Sequence, residues 1–142
     1  MGWTHYWERQ VELPSDGFKS ALVDCKKVIG LLGISLTGAD GNGQPVFTDE
    51  EIIFNGAEGT NCEPFVFRRI QPPRPGRNIV FEYCKTEHLP YDLAVQCCLV
   101  IFNNHLKELI EISTDGSEED WQEAFDICRK EFSYQKINFK QK

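Results

Sequence analysis

The chain has 142 residues, 41% of them hydrophobic and 26% charged, with a formal net charge of −7. That length and balance fit one globular domain with a core of its own and exclude a disordered chain. The acidic excess argues against extended nucleic acid as a partner, because phosphate contact needs a basic face.

Residues 3–11, W-T-H-Y-W-E-R-Q-V, alternate as a strand does, with Trp3, His5 and Trp7 on one face. Three bulky rings so early predict an interior strand. Leu13-Pro14-Ser15-Asp16 closes it, with Ser15 as candidate helix cap. Phe18, Ala21, Leu22, Cys25, Val28, Ile29 and Leu32 then recur at helical spacing, predicting a helix over 16–32 that stops at Gly33. Ile34–Thr37 reads as a short strand. A glycine-rich loop over 38–45 follows, then a strand over Glu51–Phe54 ended by the turn signal Asn55-Gly56.

Pro64–Ile70 and Asn78–Lys85 alternate as strands around Q-P-P-R-P-G-R, and the simplest pairing is a hairpin. Pro90 suits a first helical position, and the helix predicted over Tyr91–Leu106 is apolar nearly all round, as a central buried helix is. Leu109–Ser113 is a further strand. Ser117-x-x-Asp120 has the form of a capping box ahead of a last helix marked by Trp121, Ala124, Phe125, Cys128 and Phe132. The basic tail 134–142 lacks a period and reads as free chain outside a single domain of residues 1–133. The expected fold is α+β, one domain, with a mixed, mostly antiparallel sheet of five or six strands and about three helices.

Leu93–Phe102, the most apolar stretch, is about half the length of a membrane span. Met1–Trp7 lacks the pattern of a signal peptide, so the expected location is the cytoplasm, and host cytoplasm for a viral protein. The six cysteines then read as thiols, and without a Cys-x-x-Cys pair no metal is expected. No phosphate-binding loop or dinucleotide fingerprint is present, so no cofactor is expected.

The stretch Gly2-Trp3-Thr4-His5-Tyr6-Trp7, with Phe54-Asn55-Gly56, Cys84-Lys85-Thr86, Pro90-Tyr91-Asp92, Ser113-Thr114-Asp115-Gly116 and Asp120-Trp121, carries a resemblance. It resembles a family of small, largely uncharacterised proteins of bacteria and bacteriophages that open on glycine–aromatic–Thr-His-Tyr–aromatic. The match covers residues 2–121, with Trp3 where tyrosine is common. The resemblance implies a viral or prophage setting and no particular activity.

The candidate ligand-binding residues are Trp3, His5 and Trp7 on the first strand, Arg69, and the strand-to-helix junction Cys84, Lys85, Thr86, His88, Tyr91 and Asp92. At such junctions helix N–H groups point at an anion; Thr86 supplies a hydroxyl and Lys85 a charge. Among Arg68, Arg69, Arg74 and Arg77, the two on the strand point to opposite faces, so one at most joins a given pocket. Three functions fit. The first is binding of a small anionic, nucleotide-like molecule, in a viral setting an immune signalling nucleotide held out of circulation. The second is a hydrolase or transferase using His5, Cys84 or a carboxylate. The third is a protein-interaction module such as an inhibitor, which would show an exposed apolar patch in place of a polar pocket. A homo-oligomer is compatible with each.

Overall fold

The computed structural model describes residues 3–140; Gly2 of the opening signature and Gln141–Lys142 of the tail lie outside the described residues. The architecture is α+β, with three helices and seven strands, and the strands form two antiparallel sheets instead of the single sheet expected.

β1 (Thr4–Arg9) is the centre of a three-stranded sheet, flanked by β6 (Val80–Lys85) and β7 (Ile110–Thr114). His5 lies opposite Cys84 on one side and Thr114 on the other. The second sheet is built around β4 (Glu51–Gly56), which pairs with β2 (Leu36–Thr37), β3 (Val46–Phe47) and β5 (Phe65–Arg68).

The expected hairpin between residues 64–70 and 78–85 does not form: β5 pairs with β4, and β6 with β1. The reason is burial. Phe65 and Phe67 must reach the core, where Phe67 stacks 4.1 Å from Phe102 and Phe65 lies 5.2 Å from Phe54. Phe81 and Tyr83 face outward, each 52% exposed.

Asn55-Gly56, read as a turn, lies inside β4. The buried Asn55 amide works as a clamp: Nδ2 donates to Ala39 O and Cys62 O, and Oδ1 accepts from Gly56 N and Cys62 N. Gly56 admits the close passage of Thr60 and Tyr91, which a Cβ would block.

α1 (Ser15–Leu32) starts behind Pro14, with no side-chain cap from Ser15, and ends at Gly33 in the left-handed region (φ 64°). α2 (Asp92–Leu106) is buried along nearly its whole length between α1, α3 and the first sheet. The Ser117/Asp120 capping box forms as predicted, opening a 3₁₀ turn that leads into α3 (Gln122–Phe132).

The tail is not free chain over 134–140. Ile137 is buried, Lys140 N donates to Ile112 O on the β7 edge, and the Tyr134 hydroxyl meets Asp24 and His105. Ile137 and Phe139, the latter 5.0 Å from Trp121, seat a segment whose sequence is basic and aperiodic.

The two sheets are joined by Arg9. Its wholly buried guanidinium donates to the carbonyls of Gln10, Val11, Arg68 and Arg69, stands 5.2 Å from the Phe67 ring centre, and faces Glu82 at 3.8 Å. Among the described residues no helix is long and apolar enough to cross a membrane.

Candidate functional site

The sequence-distant stretches at residues 3–7, 84–92, 113–116 and 120–121 meet around one carboxylate, Asp92, at the first position of α2. Its Oδ1 accepts from Thr86 Oγ1 at 2.5 Å and meets His5 Nε2 at 2.7 Å. Its Oδ2 accepts from Gln96 Nε2 at 3.1 Å and Trp3 Nε1 at 3.3 Å. Burial alone would push this carboxyl up; the hydrogen bonds it accepts from His5, Thr86 and Trp3 outweigh that and hold it below the usual carboxylate range.

The other His5 nitrogen, Nδ1, lies 2.8 Å from Thr114 Oγ1. That oxygen already accepts from Gly116 N at 3.2 Å and Trp121 Nε1 at 3.3 Å. With both lone pairs taken, its proton points to His5 Nδ1, so His5 donates through Nε2 to Asp92. The order hydroxyl–imidazole–carboxylate is that of an acyl-transfer triad. Here the hydroxyl oxygen has no lone pair left for attack, and His5 is 0% exposed, with the Trp121 ring edge-on at 4.7 Å.

Trp3 closes the cluster. Its indole stacks on His88 with centroids 3.6 Å apart, and the space beside it is open only because residue 116 is glycine: a Cβ there would collide with the indole. The backbone beneath is strained. Glu87 and His88 both sit at positive φ, 53° and 60°, at a cost of about 1 kcal/mol or more each for such residues. Thr86 N and Glu87 N donate to Trp3 O, and Trp3 N donates to Glu87 Oε1, so the first residues of the strand hold the strained loop.

Trp3, His5, Thr86, His88 and Asp92 therefore come together. Thr86 does not offer its hydroxyl to an anion as expected: the side chain is wholly buried and donates to Asp92. Carboxylates flank Trp3: Glu87 receives its backbone N–H, and Asp120, which accepts from Ser117 N, lies beside Gly116. That field opposes the phosphate reading of this junction.

The remaining candidates sit elsewhere. Trp7 is packed in the core against Phe65 and donates to Glu82. Arg69 is engaged by Glu50 and Glu12 on the far sheet, and Arg68 by Glu51. Tyr91 is buried, its hydroxyl donating to Glu63 O. Lys85 holds Glu63 through its backbone. Cys84 is buried, and desolvation with the Glu63 and Asp92 charges pushes its thiol well above the usual range, which removes the thiolate a nucleophile needs.

Sequence reasoning missed Gln96, Thr114, Gly116 and Trp121 as members of the network. Gln96 carried a signal: it is the one amide inside the apolar run Leu93–Phe102, and a buried amide there requires a partner.

Among the described residues no group of three His, Cys, Asp or Glu side chains is disposed to hold a metal ion. No family model, no curated protein and no solved structure matches this chain.

Proposed function

We propose that the protein binds a small molecule bearing a flat nitrogen heterocycle of nucleobase type, at the Asp92 cluster, with Trp3 as a lid that occupies the ring position until the ligand displaces it. The observation that carries this reading is Trp3 itself: a planar ring stacked 3.6 Å on His88 with its N–H directed to Asp92 Oδ2. A nucleobase with an N–H donor reproduces both contacts. The polar groups behind it, His5, Thr86, Gln96 and Thr114, are fixed by one another, so the carboxylate is pre-organised as an acceptor.

Binding is favoured over turnover, because the cluster lacks an available nucleophile: the Thr114 oxygen is saturated and Cys84 is a buried thiol. The carboxylates flanking Trp3 favour a neutral ring at this position, with any phosphate directed outward. In the phage or prophage setting implied by the opening signature, a binder without turnover would act by holding a signalling nucleotide out of circulation.

The test is a calorimetric titration with adenosine and guanosine, followed by NMR of the Trp3 indole N–H. Removing the lid by Trp3→Ala is expected to tighten binding by about tenfold or more, since a self-occupied site is available only in its open fraction, whereas the Cβ of Gly116→Ala would stand in the ring position itself and is expected to weaken binding. Asp92→Asn is expected to abolish the gain. The proposal is overturned if neither nucleoside binds to Trp3→Ala.

A further inference from the structure

The outer face of the three-stranded sheet is a separate feature. Tyr6, Phe81 and Tyr83 project from β1 and β6 away from the Asp92 side, with Tyr6 and Phe81 stacked at 6.1 Å and Phe81 and Tyr83 at 6.3 Å. Phe81 and Tyr83 are half exposed. Beside Phe81 is a hollow of about 350 Å³, whose lining includes Arg74, Arg77, Glu8 and Glu82.

The charges of that hollow divide unequally. Glu8 is paired with Lys140 Nζ at 2.5 Å. Glu82 accepts from Trp7 Nε1 at 3.1 Å and faces Arg9. Arg74 and Arg77 are exposed and have no carboxylate partner among the described residues. The two acids are thus neutralised from below and beside, while two guanidinium groups stay unpaired above. Charge complementarity calls for an anion, and the rings next to it for a planar group.

We propose that this face is a second binding site, for a nucleoside phosphate: the base stacks on Phe81 and Tyr83, and the phosphate enters the hollow between Arg74 and Arg77. Guanidinium groups match phosphate oxygens in bidentate geometry, and a hollow of this volume is at the small end of ligand pockets. The same chemistry is presented by a free nucleotide and by the end of a single strand. The site is separate from the Asp92 cluster: its rings project from the opposite face of β1, and the hollow lies at the Glu8 end of the strand, away from His5.

The probes are AMP, adenosine, inorganic phosphate and a thymidine pentanucleotide, titrated by calorimetry and by backbone NMR. AMP is expected to shift the amides of residues 74–83 and to bind at least tenfold more tightly than adenosine or phosphate alone. The surface pairs Arg74→Ala/Arg77→Ala and Phe81→Ala/Tyr83→Ala are each expected to weaken AMP at least tenfold, while Gly116→Ala and Asp92→Asn leave these shifts in place. Equal or tighter binding of the pentanucleotide would assign the site to strand ends, and binding of AMP alone to free nucleotides; both uphold it. The proposal fails if AMP leaves residues 74–83 unshifted, if its affinity is insensitive to both surface pairs, or if the face instead captures a protein partner from which AMP cannot be displaced.

Discussion

Asp92→Ala is expected to lower folding stability by about 3–5 kcal/mol, read as a drop in the urea midpoint at unchanged slope. The carboxylate receives four donors, and the His5, Thr86 and Gln96 groups among them are buried. Each donor left without an acceptor costs about 1–3 kcal/mol, and water entering the vacated space recovers part of the sum. Asp92→Asn keeps one acceptor oxygen and turns an NH₂ toward Trp3 and Gln96, so a smaller loss of about 1–2 kcal/mol is expected.

The pH dependence has a fixed sign. A carboxyl held below its ordinary range in the fold contributes stability above the unfolded value of about 3.9 and loses it as pH falls through the folded value. The wild type should therefore weaken below about pH 4 more steeply than Asp92→Asn. Parallel stability profiles for the two proteins between pH 5 and pH 2 would show that Asp92 is not ionised in a network of this kind.

Local signals carried much of the architecture. The apolar period marked α1 and α3, a long run apolar nearly all round marked α2, the Ser117/Asp120 box marked the last helix, and three aromatic rings in five residues placed β1 inside a sheet. His5, Thr86 and Asp92 were legible as candidates because a strand-to-helix junction gathers polar side chains beside helix N–H groups, although capping alone also accounts for an acid at a helix start. Thr114 was not legible, since only the pairing of β1 with β7 sets it opposite His5.

The same non-local pairing explains the misreadings. Q-P-P-R-P-G-R has the chemistry of a hairpin turn, yet the partner of β5 is decided by where Phe65 and Phe67 find a core. Trp7 shares the parity of His5, but two residues along the strand the neighbours change from Asp92 and Thr114 to Phe65 and Glu82. Arg69 looked available because its acidic partners, Glu50 and Glu12, come from segments 19 and 57 residues away in sequence.

Arg9 is the second residue whose loss is expected to be large, and its effect should have the opposite pH signature. Arg9→Met keeps much of the apolar stem against Phe67 but removes a donor from four carbonyl oxygens, of which Val11 O and Arg69 O keep the backbone N–H groups of Gln71 and Leu13, and leaves Glu82 without its cation, at a cost of about 3–5 kcal/mol at pH 7. Burial already pushes the Glu82 carboxyl up, with Arg9 and the Trp7 N–H pulling it part of the way back. Without Arg9 it rises further.

A carboxyl raised in the fold contributes stability below its unfolded value, and that contribution is lost as pH rises through the folded value. Arg9→Met should therefore be weakest at neutral pH and recover part of its deficit as the solution is taken toward pH 4, where Asp92 still holds. Adding Glu82→Gln to Arg9→Met removes the stranded charge and should restore about 1–3 kcal/mol at pH 7 while flattening the pH profile. If the double variant is no more stable than Arg9→Met, the guanidinium joins the two sheets through its carbonyl contacts alone, and its pairing with Glu82 contributes nothing to the junction.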